Sequence, residues 1–120
     1  MKSLYVVALA ALFATPVMAD EAKGPAKPDL AKGATISATV CAACHTSDGS
    51  RGIPTNPILQ GQHADYLYWA LRQYQMGSGN PHFGRNNAIM AAQVQSLSQS
   101  DLKDISAYIE SLDGDLVVKK

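Results

Sequence analysis

The sequence predicts a small all-α domain, and three observations predict it. Apolar residues recur at spacings of three and four, the helical period, in the stretches 29–45, 63–76 and 98–112. Residues suited to cap or stop helices stand at the ends of those stretches. No strand pair, repeat or heptad run is present. About four helices are expected, joined by Gly-, Pro-, Ser- and Asn-rich loops at roughly 21–28, 46–62, 77–87 and 113–115. Much of a chain this small is loop, so a large buried cofactor would help it fold.

The chain opens MKSLYVVALAALFATPVMAD. Lys2, an uncharged apolar run from Leu4 to Ala14, and small residues at Val17 and Ala19 form a secretory signal, residues 1–19, with cleavage after Ala19. The run is shorter than the ~20 apolar residues a bilayer span needs, and no later segment is longer, so the chain is not expected to span a membrane. Cleavage leaves a Pro/Lys/Ala linker at 20–28 and one domain at 29–120. Export predicts a periplasmic location. Without Lys2, 9 basic side chains face 10 acidic ones, a formal charge of −1. No clustered basic face speaks for nucleic acid.

The first helix starts at Asp29, a good N-cap, and runs through Leu30, Gly33, Ile36, Ser37, Val40 and Cys44. The second covers 63–76, with His63, Leu67, Ala70, Leu71 and Tyr74 on one face, and ends at Gly77. AIMAAQV, 88–94, reads as a short helical turn in a loop-like segment. The last helix opens with a Ser98/Asp101 capping box, carries a Leu102, Ile105, Ile109, Leu112 stripe beside Tyr108, and stops at Gly114.

The chemistry concentrates in CAACH, residues 41–45. Three readings compete. Zinc needs four ligands, and His45 follows Cys44 too closely to join one tetrahedron with it. A thiol–disulfide site needs a βαβ context that is missing here. Covalent haem attachment fits both the spacing and the export: two thiols about one helical turn apart, and a histidine whose Nε2 can reach the iron. Pro57, in the loop that follows, suits a rigid turn bringing a carbonyl back to the other ring nitrogen.

For the opposite face of the iron, Met1 and Met18 leave with the signal. Met76 stands nine residues after Leu67, half a turn from the apolar face of its helix. Met90, in the loop-like Gly84 to Ala92 segment, is the favoured sixth ligand, with a soft thioether that cannot be protonated. Met76, His63, His82 and an open site remain rivals.

With these features together, the chain resembles a class I c-type cytochrome. It is most similar to one half of the bacterial two-domain, two-haem cytochromes c, or to the small single-haem carriers related to them. The resemblance runs from about Lys32 to Leu112 and rests on KGATISATVCAACH, NPILQGQHADYLYWALRQYQMG, GRNNAIM and LSQSDLKDISAYIESL. It implies a small class I fold with long loops wrapped around one covalently bound haem c. It implies that Cys41 and Cys44 hold the haem, that His45 and Met90 ligate its iron, and that the Pro57 carbonyl accepts the His45 N–H. It further places Leu59 on the haem face and Gly33 where the first and last helices cross near Tyr108. Thr46 departs from the usual Gly, and Ser37 from a common aromatic.

A six-coordinate His/Met haem can gain and lose an electron but offers no vacancy to a substrate. The expected function is therefore a one-electron carrier rather than an enzyme. Its expected partners are larger redox proteins such as a membrane cytochrome complex, a terminal oxidase or a reductase. The alternatives are a haem subunit of a larger complex, a gas-binding or sensor protein with a labile sixth ligand, and a thiol oxidoreductase.

Overall fold

A computed structural model of the chain describes residues 26–45 and 53–114. The expected signal at 1–19, most of the linker, Thr46 and the tail at 115–120 lie outside the described residues. Among the described residues the order is α1 (Leu30–Ile36), a π-helical turn (Ser37–Cys41), α2 (Ala64–Met76), α3 (Ala88–Val94) and α4 (Gln99–Glu110), with no strand. No helix among them is long and apolar enough to cross a membrane.

The termini of these helices follow from local chemistry. The Asp29 carboxylate accepts from the Lys32 N–H at 3.0 Å and so caps α1. The capping box on α4 is complete: Ser98 Oγ accepts from Asp101 N–H at 3.1 Å, and Asp101 Oδ2 accepts from Ser98 N–H at 2.8 Å. Gly77, at φ 65°, closes α2 in a conformation a side chain would resist. Gly114 does not stop α4, which ends four residues earlier, at Glu110. A Cβ on Gly114 would come within 2.6 Å of the Gln60 Cβ, so this glycine lets the chain approach the 53–63 loop instead.

The core is narrow. Leu67 from α2 and Ile105 and Ile109 from α4 form its centre, with Ile36, Cys41, Leu59, Leu71, Leu97 and Tyr108 packed around them. Each fully buried Leu or Ile of this kind stabilises the fold by about 1.5–3 kcal/mol. α1 crosses α4 at Gly33, where a Cβ would lie 2.6 Å from the Asp104 carbonyl carbon and 2.9 Å from Tyr108 Cβ. That is the close crossing the resemblance implied. Ionic contacts reinforce it: Asp29 N–H donates to Asp104 Oδ1 at 2.9 Å, and Lys32 Nζ reaches Asp101 Oδ1 at 2.6 Å and Asp104 Oδ2 at 3.5 Å. The crossing is thus made without an aromatic at position 37, where Ser37 is buried.

Candidate functional site

The 41–45 motif hangs from the end of the first helical stretch. That stretch widens at Ser37, whose carbonyl accepts from Ala42 N–H at 3.0 Å, five residues on. The chain then tightens. The Cys41 carbonyl accepts from both Cys44 N–H (3.1 Å) and His45 N–H (2.9 Å), so one short turn presents both thiols and the imidazole. Neither cysteine is in a disulfide, and both are half-buried. Burial pushes the Cys41 thiol above its ordinary pKa, and the Ser37 hydroxyl only partly offsets this. A reactive redox cysteine needs the opposite shift, so this environment disfavours the thiol-oxidoreductase reading.

The 53–63 loop folds back over the motif. His45 Nδ1 lies 2.8 Å from the Pro57 carbonyl oxygen, and Asn56 Nδ2 donates to the Cys44 carbonyl at 3.1 Å. His45, Cys41 and Leu59 line one small cleft with Ser37, Ile109 and Leu112. Asn56 was not singled out in the sequence, although an Asn-Pro step is itself a turn signal.

Met90 is not among the residues lining that cleft. It is half-buried on α3, and its N–H donates to the Asn87 side chain, the N-cap, at 3.0 Å. The short helical turn expected at 88–94 is a seven-residue helix, set in the loop-like segment that surrounds it. Asn87 supplies the cap that a reading for periodicity alone passes over. Met76 ends α2, with its sulfur 3.9 Å from Asn80 Nδ2. His63 stands exposed at the N-cap of α2, 3.7 Å from Glu110 Oε1, and His82 is exposed in the loop beyond.

The donor set suits a covalently attached metalloporphyrin. Two thiols and an imidazole share one turn. With Nδ1 engaged by a carbonyl, the Nε2 lone pair is left for a metal.

Comparison with known proteins agrees with this chemistry. The Cytochrome c family model matches residues 30–113. The chain is 41% identical over 71 residues to cytochrome c-554(548) of Halomonas halodenitrificans, covering 59% of this chain and 82% of that one. It is 41% identical over 78 residues to cytochrome c4 of Stutzerimonas stutzeri, covering 62% of this chain but only 37% of that one. The crystal structure of reduced recombinant cytochrome c4 from Pseudomonas stutzeri superposes with a TM-score of 0.63 at 34% identity, over 74% of this chain and 48% of that chain. The chain thus spans about half or less of the c4 proteins it matches.

Proposed function

Because the chain belongs to the cytochrome c family, whose members carry electrons on a covalently bound haem c, we propose that it is a periplasmic one-electron carrier with His45 and Met90 as the axial ligands. In this reading Cys41 and Cys44 hold the haem through thioethers. The bound haem supplies a one-electron iron couple.

The observation that carries the reading is the His45–Pro57 hydrogen bond of 2.8 Å. It keeps the proton on Nδ1, turns the ring into one orientation and makes Nε2 the more basic donor. Met90 offers a neutral, soft sulfur that favours the reduced state. Leu59, half-buried beside His45 and Cys41, keeps water from the proximal side. Two protein ligands leave no open position for a substrate, which makes this a carrier and not an enzyme. Its partners are then larger redox proteins met through brief contacts, of the kind that often bury less than ~1,200 Å². The apolar run before Ala19 supports export to the periplasm.

A second reading, a haem protein with a labile sixth ligand, is favoured by one observation: Val94 is the only buried residue of α3. The visible spectrum separates the two. A carrier shows the ferric iron–thioether band at the red end of the spectrum and takes up no carbon monoxide when reduced. A high-spin ferric spectrum, or ready carbon monoxide binding, establishes the second reading instead.

A further inference from the structure

α3 is too short to hold its place alone. A helix of seven residues does not persist in water, and its one buried side chain gives it little purchase on the core. Its flanks are instead tied to α2 by polar side chains. At the C-terminal flank Gln75 Nε2 donates to the Val94 carbonyl at 2.7 Å and to the Leu97 carbonyl at 2.8 Å. The Val94 carbonyl, at the end of α3, also accepts from Leu97 N–H at 3.1 Å, and Leu97 directly precedes the Ser98 cap of α4. Arg72 Nη1 donates to Gln75 Oε1 at 2.7 Å, which fixes the end of the amide that faces α3.

The N-terminal flank is tied to the same helix. Arg85 Nε donates to Gln73 Oε1 at 2.7 Å, and its backbone N–H donates to the Gln73 carbonyl at 3.0 Å. The guanidinium lies over the rings of Tyr66 and Tyr74, 5.7 and 5.5 Å from their centroids. Two residues on, Asn87 caps α3. Met90 is therefore carried on a helix fastened at both ends to neighbouring positions of α2, with Gln75 alone serving two carbonyls.

We propose that Gln75 is a positioning residue for Met90: its amide, aimed by Arg72, holds α3 in place and so sets how firmly Met90 stays a ligand. This rests on the reading of Met90 as the distal ligand. Local opening of α3 releases Met90 and admits a competitor, and the population of that open form rises as the bonds holding α3 are removed.

The test uses the haem-loaded protein carrying Gln75→Met, which removes both donors at similar length. Gln75→Glu is its companion; it keeps the Arg72 contact but turns carboxylate oxygen toward the two carbonyls. Two quantities are read: the pH at which the ferric thioether band disappears, and the affinity for added imidazole. Both variants are expected to lose the band at lower pH and to bind imidazole about tenfold more tightly, the size set by one to two lost hydrogen bonds. If neither Gln75 variant loads haem, Arg72→Met, which frees the amide, is read in the same way. Variants that unfold more easily yet keep the parental band and imidazole affinity overturn the proposal, since Gln75 is then only structural. A Met90→Ala protein that keeps the band overturns the ligand reading itself, and with it the role given to Gln75.

Discussion

His45 Nδ1 lies 2.8 Å from the carbonyl oxygen of Pro57, twelve residues along the chain, and this contact joins the 41–45 motif to the loop that covers it. The carbonyl belongs to the backbone, so no substitution removes it outright. What the proline ring contributes is a fixed φ that keeps the carbonyl in place. Pro57→Ala should lower the unfolding free energy by about 0.4–1 kcal/mol, through the greater freedom of the unfolded loop. Denaturant unfolding of the haem-loaded protein measures this, and a variant as stable as the parent would show that the ring imposes nothing.

The crossing of α1 and α4 leaves no room for a side chain at residue 33. The first methyl group would meet backbone, the Asp104 carbonyl, which has little freedom to yield inside a helix. Gly33→Ala should therefore cost about 1–3 kcal/mol or more, the range for overpacking, despite alanine's better helix propensity. A loss within ~0.5 kcal/mol, the range of an ordinary surface change, would contradict the close crossing.

Acid should weaken the start of α4 in a defined window. The Lys32 ammonium beside Asp101, together with the Ser98 hydroxyl and N–H, holds the Asp101 carboxyl down at about 2, from an ordinary 3.8. A depressed carboxylate contributes stability that is complete above the unfolded value and is lost as the pH falls through the folded one. The loss should run from about pH 4 to about pH 2. Asp101→Asn should flatten the stability profile over that interval, and an unchanged acid limb would remove Asp101 from the account.

The two cysteines should be chemically redundant for retention of the haem but not for its rigidity. Cys41→Ser and Cys44→Ser should each keep the haem through acid–organic extraction, because one thioether suffices. The double variant should release it. Absorbance of the extracted phase reads the outcome, and pigment freed from either single variant would mean that only one thiol is attached.

The parts of this protein that depend on chain-local chemistry were legible in its sequence. The Ser98/Asp101 box, the Asp29 cap and the Gly77 stop all lie within a few residues of the groups they satisfy. The apolar stripe on α4 declared its buried face because Leu102, Ile105 and Ile109 repeat at the helical period. The π-helical turn at Ser37–Cys41 left no such mark, since one wider turn shifts the helical phase without changing residue types. α3 is legible as a short helical turn at 88–94, but its cap, an Asn inside a polar run, is not. Nor could the bonds of Gln73, Gln75 and Arg85 be seen in advance. Taken singly each is a polar residue suited to solvent, and their partners lie far along the chain or on a neighbouring element.

The most direct test of the central claim is a redox titration of Met90→Ala beside Met76→Ala. The account predicts that losing the Met90 thioether lowers the reduction potential and opens the iron to added ligands, while the Met76 variant titrates like the parent. A silent Met90→Ala with a shifted Met76→Ala would contradict it.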